Sequence, residues 1–224
     1  MKTIILALFL VLASALSAFG SACITTTYDN YLVPNLSCGI GDLGFNNFFY
    51  STAGTDLMPP AGVMVNPVTN QYDTGLLFNA PWGVQSGQSQ DSLVGFTVTA
   101  GSGEISELTL YMFGAGAVGT GQVSVAETYC AGDTFADLCA NGIEGTLFTM
   151  LNGSTSILHA SATFAPVKIV DVMKDIELTA GRNGSASLLS GVENLFAVPE
   201  PGSMVLLGAG SLALAGALRR KLML

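Results

Sequence analysis

The chain has 224 residues, half of them hydrophobic and only 10% charged, with a formal net charge of −9. That is enough for one domain with a sizeable core. Between residues 23 and 197 three basic side chains (Lys168, Lys174 and Arg182) stand against fifteen acidic ones, a net of −12. Such a surface repels phosphate backbones and anionic lipid headgroups, which excludes nucleic-acid binding and leaves cations or neutral sugars as partner classes.

The N-terminus reads Met1-Lys2-Thr3, then an apolar run from Ile4 to Leu16, then Ser17-Ala18-Phe19-Gly20-Ser21-Ala22. A basic start, a short apolar run and small residues at a cleavage point define a secretory signal over residues 1–22. Cleavage after Ala22 or after Gly20 satisfies the small-residue rule. Cys23 raises a lipoprotein alternative, which the Gly20 at the usual leucine position argues against.

Residues 23–180 read as a run of short strands separated by turn residues. Gly44–Tyr50 is aromatic and partly alternating; Gly75–Phe78 leads through a turn at Asn79-Ala80-Pro81 to Trp82-Gly83-Val84. In Asp91–Ala100 the apolar alternation slips at Gly95, which suggests a bulge. Ile105–Phe113 and Gly121–Tyr129 follow, the second with clean period-two alternation. Later come Gly145–Leu151, Ser156–Phe164 and Val167–Leu178, and residues 181–197 form a last strand or a linker. A single short turn near Asp133–Leu138 interrupts the strands. Many short strands with Gly-rich turns predict an all-β fold: an antiparallel β-sandwich, jelly-roll-like, of about eight or nine strands.

In an exported chain the four cysteines are expected to pair, with Cys23–Cys38 and Cys130–Cys139 the preferred connectivity of the three possible ones. A zinc site finds no Cys-x-x-Cys spacing and a single histidine, His159, which a nucleophilic triad would also require. A lone histidine in an alternating strand reads as a half-exposed side chain. Acid–base chemistry would have to come from carboxylates such as Asp171, Asp175 and Glu177, or Glu104 and Glu107, which read more simply as solvated faces and turn formers. Gly41-Asp42, Asp133 with Asp137, and Asn141-Gly142 could contribute to a structural calcium site, although no EF-hand-like loop is present. Trp82, Tyr72, Tyr111 and Phe113 are the aromatics that could stack on sugar rings; burial of Trp82 and Phe113 in the core is the simpler expectation. Asn35, Asn152 and Asn183 head glycosylation-like triplets that arise readily by chance in a Ser/Thr-rich chain.

At the C-terminus, Val198-Pro199-Glu200-Pro201-Gly202-Ser203 precedes an uncharged run from Met204 to Leu218, and Arg219-Arg220-Lys221 follows. The run would cover about 22 Å as a helix, short for a permanent span, with the basic cluster remaining cytoplasmic. The prolines keep the stretch before the helix extended. Pro-Glu-Pro, short apolar transmembrane helix and terminal basic cluster, in this order, resemble the PEP-CTERM sorting domain, here residues 198–224. The resemblance implies recognition of Pro199, Glu200 and Pro201 by a membrane-embedded exosortase of a Gram-negative, exopolysaccharide-producing bacterium, after transit through the general secretion machinery and a transient stay in the inner membrane. Cys38-Gly39-Ile40-Gly41-Asp42 with Phe45-Asn46-Asn47-Phe48, and Val172–Ile176, are also similar to sandwich domains associated with PEP-CTERM proteins, which supports the fold. The reading is an exported structural or adhesive protein of the cell surface or extracellular matrix, not an enzyme, in an exopolysaccharide or biofilm setting. A calcium-dependent carbohydrate-binding module and a secreted carboxylate-dependent glycoside hydrolase are the alternatives.

Overall fold

A computed structural model describes residues 21–70 and 73–199. Within them the chain forms fourteen strands, one helical turn α1 (Tyr28–Tyr31), and 3-10 turns at Pro60–Gly62 and Phe135–Asp137. The signal segment, Tyr72, Glu200 and Pro201, the apolar run and Arg219-Arg220-Lys221 lie outside the described residues.

Two antiparallel sheets face each other, seven strands each. The first orders β1 (Thr26–Thr27), β4 (Met64–Thr69), β5 (Asp73–Gln85), β14 (Ala186–Ala197), β7 (Ile105–Phe113) and β12 (His159–Val167), with β8 (Gly116–Val118) also pairing to β14. The second orders β11 (Ser156–Ile157), β10 (Ile143–Asn152), β9 (Gln122–Ala131), β13 (Ile169–Thr179), β6 (Ser89–Ala100), β3 (Leu43–Gly54) and β2 (Ser37–Ile40). The strands exceed the eight or nine expected because short fragments of two to four residues add to them: β1, β2 and β11 at sheet edges, and β8 beside β14 beyond the end of β7.

Alternation decides what fills the gap between the sheets. Leu76, Phe78, Ala80, Trp82 and Val84 of β5 point inward, as do Val170, Val172, Ile176 and Leu178 of β13. Phe96 sits at the centre, its ring 6.2 Å or less from those of Phe45, Phe48, Phe78 and Phe196. Trp82 is 1% exposed, and its indole N–H donates to Ser92 Oγ at 3.3 Å.

Two local expectations change. No turn forms at Asn79-Ala80-Pro81, because β5 runs unbroken through it. Pairing with β4 ends at Asn79, so Pro81 has no ladder bond to donate on that side, and its other neighbour β14 shifts register between Leu189 and Gly191. The bulge read at Gly95 belongs to the neighbouring strand. β6 pairs with β13 without a slip, while Asn47 and Phe48 of β3 together oppose Phe96, with Asn47 at φ 53°. Leu93 consequently faces outward. The hydroxyl of Tyr28 reaches the carbonyls of Gly95 at 2.9 Å and Phe49 at 3.1 Å, which braces the bulge.

Disulfides join Cys23 to Cys38 and Cys130 to Cys139, closing loops with sequence separations of 15 and 9. Each short loop contributes on the order of 2–3 kcal/mol by restricting the unfolded chain.

Residues 186–197, left open between strand and linker, form β14 at the middle of its sheet, between β5 and β7. The fit there is close: a Cβ on Gly75 of β5 would lie 1.7 Å from the carbonyl oxygen of Asn194. The substitution Gly75→Ala is therefore expected to destabilise the sandwich by about 3 kcal/mol, seen as a lower midpoint in chemical denaturation. Gly87→Ala, in a turn where a Cβ meets no atom within 4 Å at φ 81°, should cost less, about 1 kcal/mol.

Candidate functional site

The outer face of the sheet containing β14 carries a row of three stacked aromatic rings. From Glu107 onward the odd-numbered residues of β7 point away from the core, which places Tyr111 and Phe113 outside. The rings of Tyr111 and Phe113 are 5.9 Å apart and nearly parallel, and His159 of the edge strand β12 continues the row 5.8 Å beyond Tyr111. Phe113 is 43% exposed, so this ring is a surface group, contrary to the core position expected for it. Trp82 is buried, and of the expected aromatics within the described residues Tyr111 and Phe113 come together.

Register fixes the neighbours. His159 pairs with Tyr111, Tyr111 with Glu193, Glu193 with Leu77, and Leu77 with Asn66, so these five cross the outer face in one row. Beside them Phe113 pairs with Gly191 and Gly191 with Asn79, whose side-chain oxygen accepts from Asn66 Nδ2 at 2.9 Å. Gly191 keeps the middle low, since a Cβ there would meet Asn79 Nδ2 at 2.8 Å. Partial burial pushes the Glu193 carboxyl above its ordinary value. Aromatic faces at one end and amides at the other suit a ligand with apolar ring faces and many hydroxyls. Sequence reading missed Glu193 and undervalued His159; the outward parity of β7 and β12 was the available signal.

The acids named as calcium or catalytic candidates do other work. Asp42 accepts from the amides of Ser102, at 2.9 and 3.0 Å, and Gly103, at 2.7 Å. Partial burial opposes its ionisation, but these amides, the Ser102 hydroxyl and Lys168 outweigh it and hold the carboxyl below the usual range. Asp133 accepts from the amides of Asn141 and Thr134, which lower its pKa. Asp137 accepts from Thr134 Oγ1 at 3.3 Å. Asp171 ties Thr97 Oγ1 to the amide of Phe135, both at 2.9 Å. Among the described residues no three His, Cys, Asp or Glu side chains cluster closely enough to hold a metal ion. Glu104 is exposed and Glu107 half-buried on β7's outer face, facing Thr163 and Ala197.

One carboxylate pair does meet, on the outer face of the other sheet. Burial, a hydrogen bond with Asp91 and the charges of Asp91 and Glu177 push Asp175 up to about 6. Asp175 is exposed on this strand surface and Asp91 is half-buried.

The sorting segment leaves the domain at a fixed point. β14 ends at Ala197, and Val198 lies over Gly103, where a Cβ would come within 2.3 Å of its Cγ1. Lys168 Nζ donates to the carbonyls of Gly103 at 2.6 Å and Ser102 at 3.2 Å. With Ser102, Gly103, Glu104 and Pro166 it lines a small cleft of about 250 Å³ that Pro199 borders. Residues 197–221 match the family model of the PEP-CTERM protein-sorting motif.

The chain carries a PEP-CTERM sorting motif. It is thereby an exported protein handled by an exosortase, and the motif begins at the last residue of the sandwich's central strand. No curated protein is significantly similar to the chain. Among solved structures it is similar to TmCBM61 in complex with β-1,4-galactotriose, at 11% identity and TM-score 0.31, over 65% of this chain and 86% of that one. It is also similar to the enzymatically active domain of tailspike protein 4 of bacteriophage CBA120, at 11% identity and TM-score 0.28, over 66% of this chain and 19% of that one. Both likenesses are too distant to carry function.

The raised Asp175 pKa has a stability consequence. A carboxyl whose folded pKa exceeds its unfolded value binds protons more tightly when folded, so stability falls as pH rises from about 4 to about 6. Asp175→Asn should be more stable than the wild type at pH 7, with the difference vanishing near pH 4, as read from thermal melts at both pH values.

Proposed function

We propose that this protein is a non-catalytic structural or adhesive component of the cell surface or extracellular matrix, which contacts a neutral exopolysaccharide through the Phe113–Tyr111–His159 strip. The observation that carries the proposal is this exposed aromatic row on a sandwich delivered by a PEP-CTERM motif. The excess of acidic groups favours neutral glycans over anionic ones. A carboxylate-dependent hydrolase would need Asp91 and Asp175 to work in a cleft around a glycosidic bond, and the exposed position of Asp175 favours the binding reading. A calcium-dependent binding module would need free loop oxygens, whereas those of Asp42 and Asp133 are engaged by backbone amides.

Export implies a mature start that the fold discriminates. The amide of Gly39 donates to the carbonyl of Ser21 at 2.7 Å, and the Ser21 hydroxyl donates to the carbonyl of Ser37 at 3.2 Å. Cleavage after Gly20 preserves both bonds, and cleavage after Ala22 removes them. Terminal peptide mass spectrometry of the native protein should find Ser21 first and an end inside the sorting motif; a start at Cys23 would contradict the first expectation.

Binding is tested by affinity electrophoresis in gels containing exopolysaccharide from a producing host. At about 1 kcal/mol per stacked ring, the double variant Tyr111→Ala/Phe113→Ala should bind roughly thirtyfold more weakly. Equal retardation of the variant and the wild type would rule out the strip as the contact, and release of reducing sugar by the wild type would overturn the non-catalytic reading.

A further inference from the structure

Three polar side chains stand on the apolar parity of three strands: Glu127 beside Val125 and Tyr129 on β9, Lys174 between Val172 and Ile176 on β13, and Asn194 between Val192 and Phe196 on β14. All three are 0% exposed. Glu127 and Lys174 are direct cross-strand partners, and Asn194 reaches them from the opposite sheet. Asn194 Nδ2 lies 2.8 and 2.7 Å from Glu127 Oε1 and Oε2, and Lys174 Nζ lies 3.3 Å from the same Oε2. The two nitrogens are thus at most about 6 Å apart. Lys174 Nζ sits over the rings of Phe96 and Phe78, 4.6 and 4.9 Å from their centroids.

As a purely structural ion pair this cluster is poorly made. An ammonium has three donors to satisfy, yet Lys174 Nζ makes no hydrogen bond of acceptable geometry, and the carbonyl oxygen of the Asn194 amide is also buried without a partner. Replacing such a pair with apolar side chains is often neutral or stabilising. A nucleophilic amine, a carboxyl and a carboxamide are instead gathered where water does not reach.

We propose that Lys174 and Asn194 condense into an intramolecular isopeptide bond, with Glu127 as the proton carrier. Burial drives both members of the Glu127–Lys174 pair towards neutrality, raising the carboxyl and lowering the amine, against their mutual attraction. In the proposed reaction the proton passes from Lys174 to Glu127, which leaves Lys174 a free amine to attack the amide carbon. Half a turn of the Asn194 amide exchanges its oxygen for its nitrogen at the Glu127 carboxyl, which polarises the carbonyl. The Nζ lone pair forms a bond to Cγ while Glu127 protonates the carbonyl oxygen. The carboxylate next takes a proton from Nζ and delivers it to Nδ2, the Cγ–Nδ2 bond breaks, and the hydroxyl proton returns to Glu127 as the carbonyl re-forms. One primary amine and one primary amide become one secondary amide and one ammonia. Glu127 ends as it began, and no oxidant or reductant is needed. The product carries no buried charge and ties the central strand of one sheet to the central strand of the other.

The test is a tryptic map of the full chain after secretion, reduced, alkylated and denatured. Cleavage follows Lys168, Lys174 and Arg182 in this segment, so an unlinked chain yields 169–174 and a separate peptide starting at Asn183. The linked chain is expected to resist cleavage at Lys174 and to yield 169–182 joined to the Asn183 peptide, lighter than the two together by one ammonia. Fragmentation should locate the join at Lys174 and Asn194. Recovery of free 169–174 with an unmodified Asn194 in the wild type would overturn the proposal. Glu127→Gln, with folding verified by its melting transition, should yield only the unlinked peptides; a joined peptide in that variant would overturn the role of Glu127. The wild-type map decides the bond whether or not the variant folds.

Discussion

Glu127 carries its carboxylate into the space between the two sheets, and much of the interior is arranged around that placement. A carboxyl without water requires compensation, and the compensation comes from both sheets. Lys174 lies directly across the ladder, and Asn194 reaches over from the facing strand. Phe78 and Phe96 close over the amine and extend into the aromatic cluster that joins β3, β5, β6 and β14. A shift of β14 by one residue would turn Asn194 outward and leave the carboxylate facing Leu195 or Glu193, so the polar cluster also fixes sheet register.

The fold was largely legible because period-two patterning is a local signal. The alternation of Gly121–Tyr129 and Val167–Leu178 gives the strands and their inward faces. What escaped depends on partners distant in sequence. The turn read at Pro81 failed because proline is tolerated where a neighbouring strand ends, and the end of β4 is a tertiary fact. The bulge was placed at Gly95, although the extra residue sits on β3, opposite Phe96. The sheets exceed the expected strand number because fragments of two to four residues leave no periodic trace.

The site was legible in proportion to how local it is. The sorting motif is a short ordered pattern and could be read residue by residue. The aromatic strip was read in part: Tyr111 and Phe113 were named, but period-two reading cannot say which face of a sheet is covered, and Trp82 shared the list while lying in the core. His159 joins the strip because β12 pairs beside β7, a neighbour set by topology. The buried trio offers a sharper lesson. Glu127, Lys174 and Asn194 each broke an apolar parity visible in the sequence, and nothing local could say that the three breaks meet at one point.

The position of β14 also sets an order of events. The last strand of the sandwich is a central one, flanked by β5 and β7, and the sorting motif starts at its final residue. Neither flanking strand can complete its ladder with β14 until the chain is present through Ala197. A chain truncated before β14 has neither a finished sheet nor a sorting motif, so an intact address guarantees that the residues completing the sheet are present.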